Sequence, residues 1–505
     1  MRPSPVAEIE RKFDVEDATT LPPLQDLPGA GRVEPPVEHR LKAEYFDTED
    51  LRLASQNITL RRRVGGDDAG WHLKLPSGPD ERHEYRETLG NKKTRAVPEP
   101  LLRLVRVHTR DSALVPVARL RTRRTVHRLL GKNGDVLAEF SDDQVKAETL
   151  IPEQGKQTWR EWEIELVDGS RKLLDTVQDV LASAGVRPAE SGSKLARALG
   201  PHLPSTAEKP PPTPKSASAD VVLAYLREQV QALKDQDPRV RLDAPDAVHK
   251  MRVATRRMRS VLATYRKLLG DADSVNFLRG ELKWLAGVLG EARDAEVMHE
   301  RLKDMIAKEP SDLVMGPVAG RIDLELGADY RKAHASVLEA LDGTRYFRLL
   351  DALESTLDSP SLTARASKPA HKVIPKLIKR DTKRLRTAVE HTRHHASESD
   401  HPALHEARKD GKRLRYAAES AAPINPGKAA RLADAAHGVQ KILGDHQDSV
   451  VTRELLRRLG AEAFEQGENG FTYGRLHALE QTAALETEAQ FHRQWKTFPS
   501  TSLKK

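Results

Sequence analysis

Residues Gly200–Ala219 read GPHLPSTAEKPPPTPKSASA, and this stretch decides the fold because the chain has a different texture on either side of it. Six prolines among small polar residues resist both helix and strand and favour an extended, semi-rigid spacer. The sequence therefore divides into an N-terminal domain over residues 1–200, a Pro-rich linker over 201–219 and a C-terminal domain over 220–500.

Upstream, short segments alternate polar and apolar residues between turn signals such as Gly65-Gly66 and Asn133-Gly134. AEIERKF, ITLRRRV, WHLKLP, RHEYRETL, ARLRTRRTVHRLL, VLAEFSDD and WREWEIEL read as antiparallel strands. Their polar positions carry almost only charge: Glu8, Glu10 and Lys12; Arg61 and Arg63; His72 and Lys74; Arg82, Glu84 and Arg86; Arg119, Arg121 and Arg123; Glu161, Glu163 and Glu165. One such strand is ordinarily a solvated face. Several together suit a closed barrel that turns these faces inward, giving a lumen of cations around a carboxylate cluster.

Downstream, the pattern changes to long stretches of helical period with few β-branched residues, an all-α domain with Gly/Pro loops. It contains an internal duplication. VHKMRVATRRMR from Val248 aligns without gaps on LHEARKDGKRLR from Leu404, and LGEARDAEV from Leu289 answers LGDHQDSVV from Leu443. His249, Arg252, Arg256 and Arg259 share one face of a helix, with Met251, Ala254, Met258 and Leu262 opposite. Between His249 and Lys267 there are seven Lys/Arg and no acid, so relief of the repulsion must come from elsewhere in the fold or from an external anion. His405, Arg408, Lys412 and Arg415 repeat the stripe, and Lys372, Lys376, Lys379, Lys383 and Arg386 form a third. A single charged helix face serves solubility; three parallel cationic ridges suit a long polyanion.

Composition narrows the chemistry. The 505 residues carry a net charge of +8, and the absence of Cys removes disulfides, thiolate metal sites and cysteine nucleophiles. No apolar run reaches the ~18 residues of a membrane span, and Met1–Phe13 lacks a signal-peptide core, so the expected location is the cytoplasm. No GxxxxGK[ST], G-x-G-x-x-G or HExxH occurs, which disfavours P-loop or Rossmann nucleotide binding and a zincin site. Glu8/Glu10 and Glu163/Glu165 are two E-x-E pairs whose like charges inside a barrel call for a hard divalent cation, Mg²⁺ or Mn²⁺.

Glu8-Ile9-Glu10-Arg11-Lys12 resembles the E-x-E-x-K signature of CYTH domains, the triphosphate tunnel metalloenzymes, with YFDT from Tyr45, LRRR, HLKLP and EIEL following in that family's order. The duplicated H-x-x-R-x-x-x-[RK]-R-x-R blocks, with LGEARD and LGDHQD, resemble the CHAD domain, a helical module that in this family binds inorganic polyphosphate. The resemblance implies an α+β chain of two domains: an eight-stranded antiparallel β tunnel barrel, then an all-α bundle with an internal duplication. It implies metal ligation by Glu8, Glu10, Glu163 and Glu165, and by the family's single Asp before the last strand, which falls on Asp142 or Asp143 with Asp143 favoured. Glu161 is a further candidate for the lumen. Lys12, Arg61, Arg63, Lys74, Arg82, Arg121, Arg123 and Lys194 are implied to bind triphosphate, and His249, Arg252, Arg256, Arg259, Lys372, Lys376, Lys379, Lys383, His405, Arg408, Lys412 and Arg415 polyphosphate. Gly411 and Lys412 depart from the usual pattern, weakening the second ridge.

The function this implies is a Mg²⁺- or Mn²⁺-dependent inorganic triphosphatase, cleaving tripolyphosphate to pyrophosphate and phosphate, tethered to long-chain polyphosphate and its granules by the helical domain. The alternative is a non-catalytic polyphosphate-binding or granule-targeting protein. Nucleic acid is disfavoured because aromatic residues make up 4% of the chain, leaving few platforms for base stacking. Adenylate cyclase activity, present in some CYTH relatives, is a further alternative.

Overall fold

A computed structural model of the chain describes residues 6–27, 31–78, 80–90, 96–151, 153–204, 210–394 and 402–499. Two compact units divide it, Met1–Glu208 and Lys209–Lys505. Linker residues 205–209 lie outside the described residues. The last part of the Pro-rich stretch belongs to the second unit: the amide of Ala370 donates to the Ser216 carbonyl at 2.9 Å, and Ser218 and Ala219 are already helical.

In the first unit the strands are Val6–Val15 (β1), Arg32–Val33 (β2), Val37–Asp47 (β3), Thr59–Val64 (β4), Gly70–Gly78 (β5), Glu81–Glu87 (β6), Val115–Leu130 (β7), Val136–Thr149 (β8), Gly155–Leu166 (β9) and Arg187–Pro188 (β10). Eight of them form a closed antiparallel barrel in the order β1-β6-β5-β4-β3-β7-β8-β9, with β9 returning to β1; the two-residue strands β2 and β10 pair on its flanks. The β4–β5 hairpin turns at Gly65, where φ is +87° and a Cβ would lie 2.2 Å from the Arg40 carbonyl oxygen, so no larger residue fits. The helices of this unit are Glu99–Thr109 (α1), Arg171–Ser183 (α2) and Lys194–Leu199 (α3).

Two apolar clusters of this unit position the site. Outside the barrel, Phe13, Phe140, Trp162 and Ile164 of β1, β8 and β9 bury against Leu174, Val177 and Leu181 of α2. A second cluster closes one end of the lumen, where Tyr45, Leu120, Val145, Ala147 and Trp159 pack on Leu195, Ala198 and Leu199 of α3. The short helix is thus a plug. Ser193 caps it by accepting from the Ala196 amide, which sets Lys194 at its first position, facing the lumen.

The second unit is helical: Ser218–Arg241 (α4), Ala247–Thr264 (α5), Ala272–Lys308 (α6), Val318–Asp342 (α7), Thr344–Asp358 (α8), Ala370–His394 (α9), Pro402–Glu419 (α10), Pro426–Glu465 (α11) and Phe471–Trp495 (α12). Helices α4 to α7 pack in sequence, α9 to α12 do the same, and α5 meets α10, which is the duplication made physical. Leu302, Ile322, Leu456, Leu459 and Leu476 of α6, α7, α11 and α12 share one core. Among the described residues no helix is long and apolar enough to cross a membrane.

Candidate functional site

Alternation along the barrel strands lines a cavity of about 390 Å³ with charge, and its lining includes Glu8, Glu10, Lys12, Arg61, Arg63, Lys74, Arg82, Glu84, Arg124, Glu163, Glu165 and Lys194. Lys194 Nζ lies 2.9 Å from Asp143, 2.7 Å from Glu161 and 3.0 Å from Glu163. Oxygens of these three carboxylates all fall within 4.8 Å of one another, a spacing that could hold a metal ion. Arg124 forks onto Asp143 at 2.8 and 2.7 Å and reaches Glu163 at 2.6 Å. Lys12 bridges Glu10, at 3.0 Å, and Glu163. On the neighbouring wall Lys74 contacts Glu8, Arg82 lies 3.2 Å from Glu10, and His72 Nδ1 lies 2.9 Å from Glu84.

Burial and charge compete at each group. Burial pushes the Glu8 carboxyl up to about 7, ahead of the opposing pull of Lys74. For Glu10 burial acts the same way, but Lys12, Lys74 and Arg82 outweigh it and hold the carboxyl well below its usual range. Asp143 is likewise held low against burial by Arg124 and Lys194. Burial draws the Lys12 ammonium down to about 8 and the Arg63 guanidinium to about 9. Glu8 Oε2, Glu10 Oε2 and Glu161 Oε1 are buried oxygens beside cations that make no aligned hydrogen bond. Such an all-oxygen donor set with spare lone pairs fits a hard divalent cation.

In the helical unit the two repeats bring their cations together. Arg252 of α5 and Arg408 of α10 are close enough to lower the pKa of both Arg256 of α5 and Lys412 of α10. Burial, then Arg256, Arg408 and Arg252, pulls the Lys412 ammonium down to about 6; burial chiefly lowers the Arg256 guanidinium to about 10. The repeats also match in their supports. Arg252 lies 3.2 Å from Asp294, and Arg408 3.9 Å from Asp448. Each guanidinium lies over a glycine, Gly290 and Gly444, where a Cβ would sit 3.4 and 3.6 Å from its nearest nitrogen. The buried Nε atoms of Arg252, Arg279 and Arg408 have no hydrogen-bond partner.

Two family models match the chain in tandem: a CYTH domain over residues 7–199 and a CHAD domain over residues 224–457. Uncharacterized protein MT2285 of Mycobacterium tuberculosis (strain CDC 1551 / Oshkosh) is 41% identical over 97% of this chain and 96% of its own length. The chain belongs to the CYTH–CHAD family. Among solved structures, PptA from Streptomyces chartreusis is 22% identical with a TM-score of 0.46, covering 56% of this chain and 100% of its own. The CHAD domain from the plant Ricinus communis is 21% identical with a TM-score of 0.40, covering 57% of this chain and 91% of its own.

Within the CYTH barrel, Lys12, Arg61, Arg63, Lys74, Arg82 and Lys194 face the lumen with Glu8, Glu10, Asp143, Glu163 and Glu165. The tight carboxylate cluster gathers Asp143 and Glu163 with Glu161, whereas Glu8, Glu10 and Glu165 lie along the tunnel outside it. Asp142 points outward to Arg160, at 2.9 Å. Arg121 and Arg123 correct the expectation. They are exposed on the outer face, where Arg123 donates to Glu38 at 2.7 Å, because the inward positions of β7 are those in phase with Ala118 and Leu120, namely Thr122 and Arg124. The alternation Arg119-x-Arg121-x-Arg123 marks the outer face, and the functional arginine is Arg124, which that alternation does not single out. The sign available was Leu120, whose apolar side chain belongs inside.

Within the CHAD domain, Arg252, Arg256, Arg408 and Lys412 converge, and Arg259 faces Arg279 of α6, which no sequence pattern singled out. Beside them lie His249, near Arg252, and His405, near Arg408; burial lowers both imidazoles first, and the neighbouring cations lower them further. Arg415 turns away to Glu419, at 2.8 Å, and to His437 Nδ1, at 2.8 Å. Lys372, Lys376, Lys379 and Lys383 form an exposed ridge along α9 with no ion-pair partner among the described residues, and Arg386 donates to the Pro499 carbonyl at 3.2 Å.

Proposed function

We propose that the protein is a metal-dependent inorganic triphosphatase whose CHAD domain holds inorganic polyphosphate. The observation that carries this reading is charge pairing inside the barrel. Lys12, Arg61, Arg63, Lys74, Arg82, Arg86, Arg124, Arg128 and Lys194 face Glu8, Glu10, Glu34, Asp67, Asp68, Glu84, Glu139, Asp143, Glu161, Glu163 and Glu165, nine cations against eleven carboxylates. A lumen so nearly neutral has little net pull on a polyanion. With the carboxylates holding a divalent ion, the cations would be free for phosphate, so metal and triphosphate would favour each other's entry.

Asp143, Glu161 and Glu163, with the spare oxygens of Glu8 and Glu10 along the tunnel, are the residues that would hold Mg²⁺ or Mn²⁺. The ion supplies Lewis acidity toward a phosphoryl oxygen and screening of its charge. The chain's own groups do the rest. Lys12, Lys74, Arg61 and Arg63 bind phosphate oxygens along the tunnel, and Arg124, already a fork, presents two N–H donors to the charge that develops on the bridging oxygen. The α3 plug closes one end and keeps bulk water from the chain. In the CHAD domain the Arg252–Arg256–Arg408–Lys412 junction, only partly engaged by Asp294 and Asp448, offers its donors to a longer polyphosphate.

A binding-only role is the second reading, and Lys194 favours it, since its ammonium occupies the position between the three carboxylates. Phosphate release from tripolyphosphate, with and without Mg²⁺ or Mn²⁺, separates the two. Release by the native protein that Glu163→Gln lacks supports hydrolysis; no release from folded protein that still binds tripolyphosphate supports binding alone.

A further inference from the structure

The outer wall of the barrel carries a charge pattern that the tunnel does not use. Lys42 on β3 lies directly opposite Arg121 on β7, which in turn lies opposite Lys146 on β8. One row away Arg40 faces Arg123. All five are exposed. Cross-strand neighbours sit about 4.5–5.5 Å apart, and like charges placed directly opposite destabilise a sheet.

A bare wall needs polar residues, but it does not need this arrangement. The adjoining row on the same strands runs Glu44, Arg119, Glu148 and Lys156, alternating in sign, with Arg119 donating to Glu44 at 2.9 Å. That row gives the same solubility at lower electrostatic cost. Arg123 and Arg40 share Glu38, at 2.7 and 3.7 Å, whereas Lys42, Arg121 and Lys146 have no ion-pair partner among the described residues. The apolar packing of α2 covers the wall formed by β1, β9 and the first half of β8, so the cationic row marks the part of the barrel left open.

We propose that the outer face of β3, β7 and β8, centred on Lys42, Arg121 and Lys146, is a second binding surface of the CYTH unit, separate from the tunnel, for inorganic polyphosphate. The choice of polyanion rests on the phosphate-chain reading above and on the make-up of the surface. A polyphosphate carries charge on every phosphorus with nothing between, which suits cations one strand spacing apart. Nucleic acid needs stacking platforms for its bases, and none of the outward positions in these three rows is aromatic.

The test uses the full chain. Lys42→Glu/Arg121→Glu/Lys146→Glu is compared with the native protein, and again in a background carrying Arg252→Ala, Arg256→Ala, Arg408→Ala and Lys412→Ala to remove the helical junction. Arg121→Gln alone breaks the row at its centre and serves as a milder variant. Binding of long-chain polyphosphate is measured against salt, and phosphate release from tripolyphosphate is followed in parallel. The expected result is an affinity loss of about tenfold or more and a shallower salt dependence in both backgrounds, with tripolyphosphate release unchanged. Unchanged affinity in both backgrounds overturns the surface, and so does duplex or single-stranded DNA displacing polyphosphate from it. A native protein that binds no polyphosphate and releases no phosphate overturns the underlying functional reading instead.

Discussion

Two arginines three positions apart on β7 separate wall from tunnel. Arg121 is exposed, and Arg124 is locked onto Asp143 and Glu163. Arg124→Gln is therefore expected to cut tripolyphosphate hydrolysis by about 100-fold, as loss of a donor to developing charge does, while Arg121→Gln leaves it unchanged. Initial-rate assays of the two purified variants check this. In the CHAD domain the telling residue is Lys412. Its pKa of about 6 lies below the ordinary lysine value of 10.5, so across that window the unfolded chain binds a proton that the folded chain does not. Stability consequently rises with pH between those values, and the unfavourable contribution of Lys412 is complete below about pH 6. A bound polyphosphate reverses the imbalance of charge and draws the proton back. Calorimetric titration with polyphosphate near pH 7.5, in buffers of different ionisation enthalpy, should show proton uptake that Lys412→Arg abolishes. Equal uptake by the variant would contradict this role.

At the scale of elements, α3 joins fold and site. Its Leu195, Ala198 and Leu199 plug the barrel, and the ammonium of its first residue contacts three buried carboxylates. Lys194→Met leaves Asp143, Glu161 and Glu163 without that cation and should destabilise the first unit by about 3–5 kcal/mol. Mg²⁺ or Mn²⁺ should restore more stability to this variant than to the native chain, since the ion then meets no competing ammonium; denaturant melts with and without metal measure it. The same elements show what could be read beforehand. The E-x-E alternation on β1 and β9 was legible because both residues of each pair project into one lumen. On β7 the pattern misleads, because charge sits on both faces and the inward phase is marked by Leu120 alone, whose meaning comes from the apolar plug it packs on. The duplicated helices were legible down to Arg252 and Arg408, while the glycines beneath their guanidinium groups gain meaning only from the packing of α6 and α11.

On the scale of the whole molecule, both units gather cations, one in near balance with carboxylates around a metal-sized acidic cluster and the other crowded against one another at the junction of two repeats. The two-domain division was visible in the Pro-rich stretch, but its last residues prove to be anchored to α9 because their backbone groups find partners there. The proposed function turns on metal and triphosphate favouring each other's entry into the barrel. Phosphorus NMR of tripolyphosphate incubated with the full chain tests it most directly. With Mg²⁺ or Mn²⁺ the signal should convert to pyrophosphate and phosphate in equal amounts, with no conversion when the metal is chelated or when Glu163→Gln replaces the native protein. Conversion that persists without metal, or an unchanged tripolyphosphate signal with metal and folded protein, would contradict it.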